Sequence, residues 1–171
     1  VKTEVVTPAT TTGKNEVTPA GATTTSPQAT APKEVKNIGE VQGESHESPL
    51  VGKEVVINNV VVTKTDKTGF YVQDKVSDNN PKTSDAVYVA SKDKVESGDL
   101  LKVQGTVKEG YMEEYSVKPG QTFKKPAGSL TVTQIINATI TKLGKADLPK
   151  ALNISEKMPN DIVDNTPTKY N

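Results

Sequence analysis

The chain has 171 residues, 33% of them hydrophobic, with a mean hydropathy of −0.53, which is too little apolar material to pack the whole length, so one domain of about 110 residues with unpacked flanks is expected. Its 21 basic and 21 acidic residues cancel, and every basic residue is Lys, which excludes a tight nucleic-acid binder built on bidentate Arg contacts. There is no Cys, which excludes disulfides and thiolate-held metals, and no apolar run of about 18 residues, which excludes a helix inserted in a membrane.

Residues 1–36 are low-complexity. Thr and Pro fill 14 of the first 35 positions, in a weak repeat of Val6-Thr7-Pro8-Ala9 and Val17-Thr18-Pro19-Ala20, each followed by a run of three Thr. No aromatic anchors this stretch and four prolines interrupt it, so it reads as a disordered, semi-extended linker of the kind found in surface-exposed stalks. Val1 is not an initiator Met and no signal peptide opens the chain, so a mature or excised piece of a longer protein is expected.

From Ile38 the texture changes. The Val- and Ile-rich run 55–63 is a long strand whose alternation breaks at Asn58-Asn59, where a bulge is expected. Gly69-Phe70-Tyr71-Val72-Gln73-Asp74 and Asp85-Ala86-Val87-Tyr88-Val89-Ala90 each alternate with period two, the mark of half-buried strands. Residues 77–84 form the loop between them, and the polar stretch 91–97 is expected to make a short helical turn. Leu101, Val103 and Gly105 alternate against Lys102, Gln104 and Thr106 in a fourth strand. A long irregular insertion, 109–128, carries Tyr111, Tyr115 and Phe123, and 130–143 closes the domain as one or two strands. Five principal strands with a wide loop before the last predict an all-β fold, a five-stranded OB-fold Greek-key barrel over 37–145, rather than a seven-stranded sandwich. Residues 146–171 read as a second disordered linker.

The two central strands carry the candidate site. With Phe70, Val72, Val87 and Val89 turned inward, Tyr71, Gln73 and Tyr88 share the outer face. Two tyrosines and an amide there suit stacking and hydrogen bonding to bases; ordinary cross-strand packing of tyrosines explains the same pattern. Lys64 and Lys67, before the second strand, and Lys124 and Lys125, in the insertion, sit in the loops that rim an OB ligand groove, where they are candidates for phosphate contacts. Lys108 lies nearby, and Glu109, Glu113 and Glu114 oppose this reading. Asp78, Asn80 and Asp85, with Asp74, form an oxygen-rich loop that reads either as a Ca²⁺ site or as a solvated turn. A lone His, here His46, needs partners for metal ligation or base catalysis, and no phosphate-cradling glycine loop or Ser-His-Asp set is apparent, so no enzyme is expected.

The order Ile38-Gly39-Glu40-Val41-Gln42-Gly43, His46, Ser48-Pro49-Leu50, Gly52, then 69–74, Asn80-Pro81-Lys82-Thr83-Ser84-Asp85, Gly98-Asp99, Leu130-Thr131-Val132-Thr133-Gln134-Ile135 and Leu148-Pro149 resembles the OB-fold domain of bacterial secreted nucleases of the YhcR and ExeM kind. The resemblance covers about residues 37 to 150. Where that family commonly has Asp-Gly-Asp-Gly-Asn, this chain has Val76-Ser77-Asp78-Asn79-Asn80. It implies a secreted or cell-wall-associated module that holds single-stranded DNA or RNA weakly and without sequence preference. Catalysis then belongs to a downstream phosphodiesterase domain; a monomer is expected, with no cofactor unless the oxygen-rich loop takes Ca²⁺. The competing reading of the same fold is a spacer or protein-docking module.

Overall fold

The computed structural model describes residues 31–125 and 127–151. Its organising element is β2, Glu54–Thr65, long enough to serve two partners because it bends. The first half pairs antiparallel with β5, Asp99–Gly110, from Glu54 opposite Thr106 to Ile57 opposite Val103. The second half pairs antiparallel with β3, Phe70–Asp74, from Val60 opposite Asp74 to Thr65 opposite Phe70. The bend falls at the expected Asn58-Asn59 break. There the register to β5 shifts between Ile57 and Val60, and Asn59 adopts φ 57°, a left-handed conformation that Asn accepts far more readily than the β-branched residues around it.

β3 pairs antiparallel with β4, Ala86–Val89, and β4 runs parallel to β6, Val132–Lys145. β6 returns antiparallel along β5, and the β2–β5 pairing closes the sheet. The closed order β2-β3-β4-β6-β5, with its one parallel pair within the barrel, is the expected five-stranded OB-fold Greek-key barrel. Inside it, alternating residues make one core: Val55, Ile57, Val60 and Val62 of β2, Phe70 and Val72 of β3, Val87 and Val89 of β4, Leu101 and Val103 of β5, and Ile135 of β6. Gly105 lets β5 and β6 close on each other. A methyl group there would lie 2.6 Å from Ile135 Cγ2 and 2.8 Å from the Ile136 carbonyl, so no larger residue fits without backbone movement.

Two expectations are corrected. Lys33–Val35, inside the expected linker 1–36, is a strand, β1, pairing parallel with the first half of β2 and burying Val35. The stretch 91–97 contains no helix. A helix instead precedes the barrel: α1, Ile38–Gln42. Asn37 caps it, its side chain accepting from the Glu40 N–H at 2.9 Å, and Gly43 ends it at φ 71°. Ile38 and Val41, three apart on one face, are fully buried in the barrel's core. The remainder of the expected N-terminal linker, 1–30, and the tail beyond residue 151 lie outside the described residues. No helix among the described residues is long and apolar enough to cross a membrane.

Candidate functional site

A single row of cross-strand neighbours crosses the outer face of the barrel. Lys64 of β2 is opposite Tyr71 of β3, Tyr71 opposite Tyr88 of β4, Tyr88 opposite Gln134 of β6, and Gln134 opposite Lys108 of β5. Residues opposite one another on one sheet face are neighbours, so the row runs from one lysine to the other. Tyr71 and Tyr88 meet edge to face, ring centroids 5.0 Å apart at 61°, a favoured aromatic geometry. Gln73 lies two residues along the same face, half-buried, with Ala86 opposite.

The two tyrosines differ in access. Tyr71 is half-buried. Tyr88 is only 1% exposed, which corrects the expectation that both rings are available for stacking. Its hydroxyl is 2.7 Å from Thr68 Oγ1, and Tyr115 lies over it at 6.1 Å. Burial raises the Tyr88 hydroxyl pKa, with the Thr68 hydrogen bond opposing. Gly69 is required beneath this ring. A Cβ on Gly69 would come within 2.2 Å of the Val89 carbonyl and 2.6 Å of the Tyr88 hydroxyl.

The cover is the loop between β5 and β6. It opens with a 3-10 helix, Met112–Ser116, and lies over Gln134. Gln134 is completely buried; its Oε1 accepts from the Tyr115 hydroxyl, and its Nε2 points to Met112 Sδ at 3.8 Å. Glu114 ties the turn down: its Oε2 is 2.6 Å from Lys108 Nζ and its Oε1 accepts from the Tyr111 N–H at 3.1 Å. The Lys108 hydrogen bond holds the Glu114 carboxyl below the usual range, and burial, then Glu114, raises the Tyr115 hydroxyl.

The expected phosphate contacts fall into two groups. Lys64 and Lys67 are exposed on and just beyond the end of β2, beside Tyr71 and Thr68. Lys124 and Lys125 are exposed in the covering loop. Lys125 Nζ sits 5.5 Å above the Tyr111 ring, itself 5.4 Å from Phe123, so Lys125 belongs to a small aromatic cluster of the loop rather than to the Tyr71 row. Among the described residues Lys64, Lys67, Lys124 and Lys125 make no ion pair, whereas Lys108 is held by Glu114. Sequence reasoning missed Gln134 and Met112 and gave Tyr115 no role. Alternation against Ile135 marks Gln134 as outward-facing, but nothing local shows that a loop folds over it.

The oxygen-rich loop is organised as a set of turns. Asp78 Oδ1 accepts from the Asn80 N–H at 2.8 Å and Asp78 Oδ2 from Asn37 Nδ2 at 3.0 Å, while Asn80 Oδ1 accepts from the Lys82 N–H at 3.1 Å. Among the described residues no three acidic or His side chains are grouped so as to hold a metal ion. The hydrogen bonds of Asp78 and Asn80 are those of a solvated turn. Asp74 is buried at the start of α1, its Oδ2 accepting from the Ile38 N–H at 2.8 Å. Its pKa is raised to about 6, first by burial against the opposing Ile38 hydrogen bond, then by the charges of Asp85 and Asp78. Asp85 Oδ1 and Thr83 Oγ1, on the same loop, are buried without a hydrogen-bond partner. His46 Nε2 is 3.2 Å from Thr131 Oγ1, across from the start of β6.

No protein-family model matches the chain, and no curated protein sequence matches it.

Proposed function

We propose that the barrel is a non-catalytic module that binds single-stranded DNA or RNA weakly and without sequence preference, and presents it to a nuclease domain of the same secreted or cell-wall-associated protein. The observation that carries this reading is the outer row on β3 and β4, where the half-buried Tyr71 lies between the exposed Lys64 and a second, supporting tyrosine. A base stacks on Tyr71, Gln73 lies on the same face to hydrogen-bond, and Lys64 and Lys67 meet the phosphates. Tyr88 contributes by holding the Tyr71 ring edge-on from behind. The nuclease context rests on the sequence resemblance alone.

Stacking on one ring is worth about 1–3 kcal/mol by alanine substitution. With zero net charge the phosphate contribution is small, and affinity at physiological salt falls in the range of non-specific binding, roughly micromolar or weaker. Titration of a labelled oligonucleotide at low salt tests this. Tyr71→Ala is expected to weaken binding about tenfold, and Lys64→Ala with Lys67→Ala to flatten the dependence of affinity on salt. Absence of binding by the wild-type chain at low salt favours the second reading, a spacer or protein-docking module. That reading draws on the burial of Tyr88 and Gln134 beneath the chain's own loop.

A further inference from the structure

Gln134 is an unusual residue to bury on the outer face of a barrel. Its side chain has no exposed surface, yet only its oxygen has a strong partner. The amide nitrogen, two N–H donors, is offered a thioether sulfur at 3.8 Å, a weak acceptor. A buried donor left short of a partner is costly, and a native structure that keeps one has a reason for it. The group above it has the features of a nucleobase. Tyr115 sets a flat aromatic ring against Tyr88, and its polar edge donates into Gln134 Oε1. Its carrier is a small element: Met112–Ser116 is a single short 3-10 turn in which no residue is fully buried, so opening it breaks the Glu114 and Tyr115 contacts but exposes little buried apolar surface.

We propose that Gln134 is a base-reading residue of this face, and that the Met112–Ser116 turn is a lid whose Tyr115 occupies the place of an unpaired base. The inference rests on the nucleic-acid reading of the Tyr71 row and adds to it a second base position, regulated by the loop. When the lid lifts, a base entering beside Tyr88 presents a donor to Gln134 Oε1, as the tyrosine hydroxyl did. It also presents a ring nitrogen or carbonyl to Gln134 Nε2, replacing the thioether with a true acceptor. A glutamine amide makes this paired contact with any base edge that sets a donor beside an acceptor. The closed lid therefore lowers the affinity of the resting protein for single strands, and Lys108 is freed from Glu114 when it opens.

The test uses the full chain and a fluorescein-labelled 12-mer of oligo(dA) at low salt, with thermal melts to confirm that each variant folds. Tyr115→Ala is expected to bind about tenfold more tightly than wild type, since it removes a competing ring contact and hydrogen bond. Tyr115→Phe keeps the packing, drops only the hydroxyl, and is expected to bind several-fold more tightly. Adding Gln134→Leu to Tyr115→Ala is expected to return affinity to the wild-type level or below. The side-chain amide resonances of Gln134 are expected to shift when oligonucleotide is added. Should the Tyr115 variants bind no better than wild type and the Gln134 amide stay unmoved while Tyr71→Ala still weakens binding, the lid is wrong and the Tyr71 site stands. Should no variant bind, Tyr115→Ala included, both fall.

Discussion

Asp74 is the residue on which burial and charge most visibly disagree with solubility. Its carboxyl lies in the barrel wall, accepts the first N–H of α1, and has Asp85 and Asp78 nearby. A carboxyl raised from 3.8 to about 6 binds more protons in the folded than in the unfolded chain between those values. Folding stability therefore falls as pH rises through that window. The penalty at pH 7 is roughly 1–3 kcal/mol. Asp74→Asn keeps an oxygen for the Ile38 N–H and removes the charge. Relative to wild type it is expected to be more stable at pH 7, with the gap closing toward pH 4, as read from denaturant midpoints across that range. An equal gap at both ends would place the effect outside Asp74 ionisation. Gly69 makes the opposite kind of demand. Because the obstruction to a side chain there is the Val89 backbone carbonyl at 2.2 Å as well as the Tyr88 hydroxyl, Gly69→Ala is expected to cost about 1–3 kcal/mol or more and to lower the melting temperature measurably.

Among the elements, the strands were readable because each carries its own period. Val60 and Val62, Phe70 and Val72, Val87 and Val89 alternate into one core, and the Asn58-Asn59 interruption marks the bend of β2. α1 was not readable: five residues hold a single Ile38–Val41 pair, too short to display a helical period, and only the Asn37 cap and Gly43 stop hint at it. The aromatic face was half readable. Alternation put Tyr71 and Tyr88 on one side, but that Tyr115 and Met112 cover Tyr88 and Gln134 is a long-range fact that no local pattern encodes. β5 and β6 show how charge fixes an element's end. Asp99, at the start of β5 and nearly buried, accepts from Lys145 Nζ at 2.7 Å and from Lys142 Nζ at 3.0 Å, both near the end of β6, and from the Glu96 N–H at 2.9 Å. Lys145 foremost, then the Glu96 N–H and Lys142, hold its carboxyl far below the usual range. A carboxylate so depressed adds stability that is present above about pH 4 and is lost as pH falls further toward its folded value. Asp99→Asn is expected to lower the melting temperature at neutral pH and to make the acid limb of the stability curve shallower than that of wild type.

For the molecule as a whole, the boundary of the folding unit and the location of the site are separable. β1 lies within the stretch whose composition reads as linker, yet it places Val35 in the core at 3% exposure and extends the sheet along the first half of β2. Glu34 Oε1 also accepts from Asn58 Nδ2 at 2.7 Å, beside the bend of β2. Low complexity in a flanking segment therefore does not mark where packing begins; a three-residue strand needs only one buried side chain and an open edge. A chain beginning at residue 37 keeps the Asn37 cap and all five barrel strands, but loses Val35 burial and the β1–β2 pairing. Burial of a Val side chain is worth roughly 1.5–3 kcal/mol, and 1 kcal/mol shifts the melting temperature of a domain this size by about 4–8 °C. The shortened chain is thus expected to melt several degrees below one beginning at residue 31. β1 packs on β2 and α1, whereas the Tyr71 row runs over the other end of β2 onto β3 and β4. Oligonucleotide affinity below the melting range is therefore expected to be the same for both chains. Equal melting temperatures would return residues 31–36 to the linker, and a loss of affinity on shortening would move part of the binding surface to the β1 side of the barrel.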